Sequence, residues 1–346
     1  MTSMKPSHIK EMLKRTIPEG ITIMLTGPPG CGKTSVVQQA AKDCGYDVVV
    51  TYAALKDVTE AGGIPWPDAN TNSVRYLPAP EIVELCNSTK PTVWFLDDFG
   101  QAPAAVQASY MQWLLAREVH GMKLPDHVTI IIATNRRQDK ANVQGILEPV
   151  KGRIHSIIEM EYDLTDHCRY MDATDHDIRC QGFIRLRSEL LTQQPTQAAQ
   201  EIVKAPSPRG VEQLSDIEKL KIPEDIIRRK MIAGCMGEGF ATEYFAYCQS
   251  INGMIDADEV ILDPLHAPMP KGPDQCYAMS CALISRASEG TFDSIGTYCK
   301  RMHENNLGEF TVLIMKECIH KKPELKAMKT WKNAVEGYLH DLLCGY

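Results

Sequence analysis

Residues 21–34 read ITIMLTGPPGCGKT, and this stretch decides the fold. Its first six residues are apolar or β-branched, which predicts a short strand buried on both faces of a sheet. The next eight residues fit the pattern G-x-x-x-x-G-K-[ST], and a helical pattern follows over residues 34–44. A glycine-rich loop between a buried strand and a helix is the context that identifies a phosphate-binding loop.

The chemistry of phosphate binding explains the residue types in this loop. Gly27, Gly30 and Gly32 let the backbone approach an anion, and successive N–H groups beside a helix N-terminus attract phosphate oxygens. Lys33 supplies a mobile cation for the β- and γ-phosphates, and the Thr34 hydroxyl is a ligand for Mg²⁺. The predicted phosphate-binding residues are Gly27, Pro28, Pro29, Gly30, Cys31, Gly32, Lys33, Thr34 and Ser35.

Four further segments have the pattern of buried strands, and helical segments separate them. They lie at residues 47–52, 92–96, 128–134 and 154–160, and a helix is predicted over residues 105–117. Apolar strands that alternate with helices predict a parallel sheet covered on both faces, which is an α/β architecture. Ligands of such sheets bind at the carboxyl ends of the strands, so polar residues at those ends are candidates for function.

After about residue 162 the pattern changes, and helix-like segments dominate. They lie at residues 224–235, 242–250, 274–287, 292–303 and 324–343. A basic run at residues 228–230 is interpreted as a solvated helix face. We predict three parts: an α/β nucleotide-binding core over residues 1–162, an α-helical lid over residues 163–260 and a C-terminal helical extension over residues 261–346.

Two of the predicted strands end in residues suited to a metal ion and a water molecule. Residues 93–100 read VWFLDDFG; Asp97 is predicted to hold Mg²⁺ through water, and Asp98 to polarise the attacking water. Asn135 closes the strand at residues 128–134, and its amide could hold a water in line with the γ-phosphate because it both donates and accepts. Asn also ends strands as a turn former, so this interpretation depends on a strand that neighbours the phosphate loop.

Composition narrows the class of protein. The 346 residues carry a formal net charge of −7, with 44% hydrophobic and 23% charged residues, which excludes disordered and collagen-like chains. The acidic balance argues against a nucleic-acid binder with a basic surface overall, although a local basic channel stays open. No stretch approaches about 18 apolar residues and residues 1–20 lack a secretion signal, so we expect a cytosolic protein. Twelve scattered cysteines without a CxxC pair are expected to be reduced thiols.

Taken in order along the chain, these motifs resemble those of the MoxR-like AAA+ ATPases, which belong to the P-loop NTPases. The resemblance rests on DVTEAGGIPWPD and VRYLPAPE, on LDDFGQAPAAVQASYMQWLLAREVHGMKLPDHVTIIIATNRRQD, on EPVKGRIHSI and on APSPRGVEQLSD. The resemblance covers about residues 20–215, roughly the first 60% of the chain. The resemblance implies a P-loop AAA+ parallel-sheet core with an α-helical lid and additional C-terminal helices.

The resemblance also implies roles for individual residues. The nucleotide and metal positions of the family match Lys33, Thr34, Asp97 and Asn135. Arg209 matches the second sensor of the family. Ser207 is a plausible N-cap and Pro208 a first-turn proline, so Arg209 lies in the first turn of a helix, where a cation is unfavourable unless it reaches a phosphate.

Arg153, in VKGRI, matches the arginine that family members direct at the γ-phosphate of a neighbouring copy. A cation supplied in trans makes hydrolysis depend on assembly. A surface arginine without such a role is the alternative, and Arg136 and Arg137 are the nearest competitors for the same task.

One residue departs from the family pattern. The metal strand of the family usually ends in Asp-Glu, whereas this strand ends in Asp97-Asp98. Asp98 is one methylene shorter, which sets its carboxylate back by about 1.5 Å if nothing else moves. We expect slow hydrolysis or a bridging adjustment, and a protein that only binds nucleotide is the alternative.

Two loops are candidates for contact with a partner. Residues 62–66 lie between the second and third strands, where ring ATPases carry a loop that faces the central pore, and Trp66 would be its aromatic grip. A Trp that packs the loop against the body of the protein is the equal alternative. Residues 120–125 predict a hairpin, and family members use insertions at this point to engage partners.

The motifs predict an ATP hydrolase, and the resemblance implies that it binds ATP and Mg²⁺ at the boundaries between copies of the chain, as a hexamer. The work would be chaperone-like remodelling of a protein partner, by resemblance often a von Willebrand factor A-domain protein, with no membrane. Two other classes stay open. A DNA-acting AAA+ motor or clamp loader predicts stimulation by DNA with steep salt dependence. A P-loop kinase acting on a small molecule predicts a monomer that keeps its activity without Arg153, unless that arginine acts in cis.

Overall fold

The computed structural model describes residues 2–70, 72–139, 145–191, 204–223, 226–254 and 256–339. The chain divides into two compact units, Met1–Asp163 and Leu164–Tyr346. The further division of the second part at residue 260 stays a prediction.

The first unit is built on a parallel sheet. Its strands are β1 (Ser3–Met4), β2 (Ile23–Gly27), β3 (Asp47–Tyr52), β4 (Ile64–Asp68), β5 (Ser73–Leu77), β6 (Thr92–Asp97), β7 (Glu118–Val119), β8 (Met122–Lys123), β9 (Val128–Asn135) and β10 (Ser156–Met160). Six of them form one sheet in the order β1-β10-β2-β9-β6-β3, and every neighbouring pair is parallel. The predicted α/β core is confirmed. The pairs β4–β5 and β7–β8 form two separate antiparallel hairpins.

Helices cover both faces of this sheet. The helices of the first unit are α1 (Pro6–Thr16), α2 (Lys33–Asp43), α3 (Val58–Gly62), α4 (Pro80–Cys86), α5 (Ala104–Ala116) and α6 (Glu148–Lys151). On one face, Leu25 of β2 and Phe95 of β6 are buried in a cluster with α1 and α2. On the other face, Met24 and Trp94 are buried with α4 and α5. Both faces of each strand are therefore apolar, which is why the strands appear in the sequence as continuous apolar runs.

The order of the strands brings the predicted site residues to one edge of the sheet. β9 lies between β2 and β6, and Asn135 is opposite Gly27 in the register of β9 and β2. The strand that ends in Asn135 therefore neighbours the phosphate loop, as its interpretation required. The strands that end in Gly27, Asp97 and Asn135 are parallel neighbours, so their carboxyl ends meet at the same edge.

The second unit is helical, and no strand occurs among its described residues. Its helices are α7 (Leu164–Ala173), α8 (Ile178–Leu186), α9 (Pro208–Lys219), α10 (Ile226–Met236), α11 (Glu238–Ser250), α12 (Ala257–Leu262), α13 (Gly272–Ser285), α14 (Phe292–Glu304), α15 (Gly308–Lys321) and α16 (Lys329–Glu336). A core cluster from α13, α14 and α15 includes Leu283, Cys299 and Ile314, all fully buried. The predicted change to helices after about residue 162 is confirmed.

The single helix predicted over residues 324–343 is wrong. Pro323–Ala327 forms a 3-10 turn, Met328 is extended with φ −69° and ψ 146°, and α16 begins at Lys329. Residues 324–329 contain no glycine or proline, so nothing in the local sequence marks the break. Leu325 is fully buried against the core of the second unit, which explains why the turn separates from α16. Residues 340–343 of this prediction lie outside the described residues.

The basic run at residues 228–230 is only partly solvated, so the expected solvated helix face is wrong for one residue. Arg228 is buried, donates to Oε1 of Glu218 at 2.7 Å and lies over the ring of Phe245. Arg229 and Lys230 are exposed. A carboxylate from another helix decides this difference, and no local pattern reveals it.

The eleven described cysteines are all free, as expected. None of the described helices is both long enough and apolar enough to cross a bilayer. The cytosolic location stays a prediction.

Candidate nucleotide-binding site

The phosphate loop connects the carboxyl end of β2 to the amino end of α2. Gly32 precedes the first turn of α2 with φ of 97°, a left-handed conformation that favours glycine. A Cβ atom on Gly27 would lie 2.8 Å from the carbonyl oxygen of Met160 in β10, so any larger residue would collide with the neighbouring strand. These two glycines allow the backbone to turn from the strand into the helix, where N–H groups attract an anion.

Lys33 is the buried cation of this loop, with 6% of its surface exposed. Its ammonium group donates to the carbonyl oxygens of Gly27 and Pro28, each at 2.9 Å, and to Oδ1 of Asn135 at 2.8 Å. Burial lowers the pKa of Lys33 below its usual range, and nearby carboxylates oppose this only in part. Among the described residues no carboxylate bonds to this ammonium group. A buried cation with neutral acceptors alone is suited to accept a phosphate oxygen in exchange for one of them.

Thr34 and Asp97 form the second contact between the loop and the sheet. The Thr34 hydroxyl donates to Oδ2 of Asp97 at 2.7 Å, and the Asp98 backbone N–H donates to Oδ1 of Asp97 at 2.9 Å. Asp97 is buried, with 6% of its surface exposed. The pair therefore presents two adjacent oxygen ligands at the end of β6.

These two oxygens fit Mg²⁺ that arrives with a nucleotide. Mg²⁺ prefers oxygen ligands, and in nucleotide sites it takes one or two from the protein and the rest from phosphates and water. No group of three or more His, Cys, Asp or Glu side chains in the described residues is arranged to hold a metal by itself. The donor set thus matches a shared site rather than a dedicated metal cage.

Asn135 connects Lys33 to Asp98. Its Oδ1 accepts from Lys33, and its Nδ2 donates to Oδ1 of Asp98 at 3.3 Å. The two neighbours fix the orientation of this amide, because an ammonium group only donates and an ionised carboxylate only accepts. Asp98 has φ of 52°, in the left-handed region that Asp tolerates better than most residues. The water that Asn135 was predicted to hold stays a prediction.

The remaining loop residues differ in exposure. Burial raises the pKa of the Cys31 thiol, whose Sγ lies 3.9 Å from the ammonium nitrogen of Lys33. Ser35 is exposed in the first turn of α2, and Pro29 is exposed at the tip of the loop. All the predicted phosphate-binding residues therefore lie on one loop and the helix turn that follows it, and their contact with phosphate stays a prediction.

Arg153 lies near the amino ends of the strands, whereas the phosphate loop lies at their carboxyl ends. It precedes β10, which is parallel to β2 with Ser156 opposite Ile23, and Gly27 is four residues, about 13 Å, further along β2. Its Nη1 donates to the carbonyl oxygen of Pro149, and its Nε is buried without a hydrogen-bond partner among the described residues. Arg153 is therefore far from the phosphate loop of its own chain.

The competing arginines are engaged within the chain. Arg136 donates to Asp139 at 2.7 Å and to Glu159 at 2.9 Å, and hydrogen bonding to Asp139 is the largest of the effects that raise its pKa. The guanidinium group of Arg137 lies beside Gly145, where an added Cβ would be 3.4 Å from its Cζ. The choice among Arg153, Arg136 and Arg137 for a role in a neighbouring copy stays a prediction.

Arg209 lies in the first turn of α9, as predicted. The Ser207 hydroxyl accepts from the Gly210 N–H at 3.1 Å, and Pro208 is the first residue of the helix. Arg209 is exposed. Its predicted role as a second sensor stays a prediction.

The hairpin formed by β4 and β5 carries Trp66. Trp66 has 51% of its surface exposed and is opposite Arg75 in the register of the two strands. Other large apolar side chains of this hairpin are also exposed: Ile64, Val74, Tyr76 and Leu77. The structure thus contradicts the alternative in which Trp66 packs the loop against the body of the protein.

The second predicted hairpin is confirmed as β7–β8, and it contacts the first. His120, at its turn, stacks on Tyr76 with ring centroids 3.6 Å apart and an angle of 2° between the rings. Trp66 and Tyr76 lie on opposite faces of the β4–β5 hairpin, because Trp66 pairs with Arg75 and Tyr76 pairs with Pro65. The Tyr76 face therefore joins the two hairpins and the Trp66 face does not.

Gln101 is a site residue that the sequence did not single out. Its Nε2 donates to Oδ1 of Asp98 at 2.9 Å. It lies in the 3-10 turn Phe99–Gln101, which begins directly after Asp98. The only sequence signal is a polar side chain three residues after a candidate catalytic acid, and many solvated turns share that pattern.

The parallel sheet, the glycine-rich loop and the two strand-end acids define a P-loop nucleotide-binding protein with the AAA+ fold. Residues 23–162 match the sequence model of the "ATPase family associated with various cellular activities (AAA)". A match to this family model implies nucleotide binding and ATPase activity. The MoxR-like branch of the family stays a prediction.

Several solved structures are similar to this chain at low identity. A RuvB mutant from Thermotoga maritima is 13% identical, with 80% of each chain covered and a TM-score of 0.40. NtrX from Brucella abortus is 16% identical, with 77% of this chain and 66% of that chain covered and a TM-score of 0.38. Comparison with curated protein sequences finds no significant match. At this level of similarity, the family match and the site geometry carry the assignment.

Proposed function

We propose that this chain is a MoxR-like AAA+ ATPase that binds ATP with Mg²⁺ between neighbouring copies of itself in a hexameric ring. It hydrolyses ATP and uses the reaction to remodel a protein partner. The observation that carries the proposal is the hydrogen-bonded series Lys33–Asn135–Asp98, beside the Thr34–Asp97 pair. The cation, the metal ligands and the acid needed for hydrolysis are already held in contact.

In this proposal a phosphate oxygen replaces one of the acceptors of Lys33. The water oxygen bonds to the γ-phosphorus while the bond to the bridging oxygen breaks, and ADP leaves with the electron pair. Asp98 accepts the proton that the water loses. Thr34 and Asp97 would hold Mg²⁺, which when bound offsets the negative charge of the β- and γ-phosphates.

The placement of Arg153 supports a site shared between copies. An arginine on the far edge of the sheet cannot reach the phosphate loop of its own chain, so a role at the γ-phosphate requires a neighbouring copy. This argues against a monomeric kinase in which Arg153 acts in cis.

The exposed Trp66 face of the β4–β5 hairpin supports a protein partner. Monomeric proteins rarely leave a cluster of large apolar side chains in water without an interaction to cover it. Trp66 is the aromatic grip in this proposal, and a von Willebrand factor A-domain protein with a metal-dependent adhesion site is the partner that the MoxR resemblance suggests.

A mixing experiment tests the shared site. Arg153→Ala and Lys33→Ala copies are each expected to lose ATPase activity, and mixing them should restore part of it because some boundaries join an intact loop to an intact Arg153. Lys151→Ala, at an exposed neighbouring residue, serves as the control and should keep full activity. No restoration, together with monomeric sizes for each variant in ATP, would contradict the ring.

A trapped complex tests the partner. Asp98→Asn should bind ATP without hydrolysing it, and proteins retained on it with ATP are identified by mass spectrometry. A protein retained with ATP and lost after Trp66→Ala supports remodelling. DNA retained instead, with ATPase activity stimulated by DNA and binding that falls steeply with salt, would favour the DNA-acting motor.

A further inference from the structure

One end of the Gln101 side-chain amide has a hydrogen-bond partner, and the other end has none among the described residues. Its Nε2 donates to Oδ1 of Asp98 at 2.9 Å, and this same oxygen also accepts from Asn135 at 3.3 Å. The other end, Oε1, is buried and accepts no hydrogen bond from any described residue. A side chain held at one end by the candidate catalytic acid therefore keeps its carbonyl oxygen unpaired next to it.

The orientation of the Gln101 amide follows from its neighbour. Asp98, when ionised, only accepts hydrogen bonds, so the amide nitrogen must face it and the carbonyl oxygen must face away. Leaving a buried carbonyl oxygen unpaired is unfavourable, so native proteins satisfy such atoms with a donor or an ordered water. The unpaired oxygen thus indicates a place for a water molecule.

Asp98 also has an oxygen that can accept from water. Both donors to its side chain use Oδ1, and no donor among the described residues uses Oδ2. A water near this pair could donate one hydrogen to the carboxylate and the other to the amide oxygen of Gln101. Such a water would be oriented by two acceptors rather than by one.

We propose that Gln101 is the positioning residue for Asp98 and the second acceptor for the attacking water. This inference rests on the proposed hydrolysis and names the residue that compensates for the short side chain of Asp98. The N–H of the Gln101 amide donates to the Asp98 carboxylate, and its carbonyl oxygen provides a second acceptor for the water. Asp98 still takes the proton, and Gln101 takes none.

A double-mutant cycle tests this assignment. Gln101→Met, which keeps the length of the side chain and removes both hydrogen bonds, should lower kcat roughly 10- to 100-fold, while the nucleotide Kd stays within about 2-fold. In an Asp98→Glu background, where the longer acid reaches the water alone, the same change should lower kcat by less than about 3-fold. Gln112→Met, at an exposed glutamine of α5, is the control and should have no effect.

A second variant and a second measurement guard against a folding defect. Gln101→Glu keeps the shape of the side chain but removes the N–H and sets two carboxylates side by side, so it should lower kcat at least as much as Gln101→Met. A high-resolution crystal structure should show a water bonded to Oε1 of Gln101 in the wild type and no water there in Gln101→Met.

The outcomes separate this proposal from the proposed function. Hydrolysis that Asp98→Asn abolishes and Gln101→Met leaves unchanged would overturn the role of Gln101 alone. Equal losses from Gln101→Met in the wild-type and Asp98→Glu backgrounds would also overturn it, because a merely structural role is additive. A wild-type protein that binds ATP and never hydrolyses it would overturn both proposals.

Discussion

Lys33 in the first unit and Arg185 in the second are both buried cations, with 6% and 7% of their surfaces exposed, and their partners differ. Lys33 bonds to two backbone carbonyl oxygens and one amide. Arg185 donates to the buried carboxylate of Asp172 at 2.7 Å and lies 3.0 Å from Sγ of Cys281. Among the described residues, no anion bonds to Lys33, whereas Arg185 bonds to the buried carboxylate of Asp172.

The pKa values of the two cations move in opposite directions. Burial lowers the pKa of Lys33, and the neighbouring carboxylates do not make up the difference. Burial also acts to lower the pKa of Arg185, but interactions with Cys281, Cys168 and the Asp172 carboxylate outweigh it, so its pKa is raised. A buried cation that its own chain leaves uncompensated marks a site for an external anion, whereas a compensated one belongs to the core.

The prediction with the largest expected effect concerns Arg185. If it fails, the contrast between the two buried cations does not hold. Arg185→Met should lower the free energy of unfolding by about 3–5 kcal/mol, because it leaves Asp172 buried without its cation. Arg187→Met, at a half-exposed arginine directly after α8, should change it by no more than about 1 kcal/mol. Urea titration followed by circular dichroism measures both; equal effects would mean that the buried pair has no special weight.

The second prediction concerns Lys33. Lys33→Met should raise the Kd for ATP at least about 100-fold, near 3 kcal/mol. It should lower the stability of the nucleotide-free protein by less than Arg185→Met does, since it leaves neutral acceptors unpaired and no carboxylate. Lys42→Met, on the exposed face of the same helix, should leave the Kd unchanged. Titration with a fluorescent nucleotide measures the Kd, and marked destabilisation by Lys33→Met would show that this cation is structural after all.

The third prediction uses pH to probe the second unit. Burial lowers the pKa of His167 to about 4, so between about pH 6.5 and pH 4 the unfolded chain binds a proton that the folded chain does not. Stability should therefore fall as pH falls through this window, by about 2 kcal/mol for a half-buried side chain. His167→Gln should flatten this part of the profile, and His266→Gln, at an exposed histidine, should not.

The smallest expected effect is that of Trp66→Ala, which is compared with Trp94→Ala in the same unit. Trp66→Ala should change the free energy of unfolding by less than about 0.5 kcal/mol, since the side chain is exposed on its hairpin. Trp94→Ala should cost about 3–5 kcal/mol, because Trp94 is fully buried and donates to Thr51 at 2.9 Å. A large loss of stability after Trp66→Ala would mean that the hairpin packs elsewhere and is not available to a partner.

Local sequence signals predicted the elements of the site well. The strand–loop–helix unit around Lys33 and the strands that end in Asp97 and Asn135 follow from apolar runs and glycine spacing, which depend on near neighbours in the chain. The break at Met328 and the burial of Arg228 were missed, because Leu325 and Glu218 act through packing and charge from other helices.

The sequence by itself determined the parallel α/β core, the helical second half and the phosphate loop, since periodicity and glycine content act over a few residues. Only the tertiary structure decided that Lys33 bonds to Asn135, that Gln101 holds Asp98, and that Arg153 lies far from its own loop. These three facts depend on strand order and side-chain direction, which bring together residues up to 102 positions apart. Local sequence patterns do not reveal which of these distant residues meet, because the packing of the whole sheet decides their contacts.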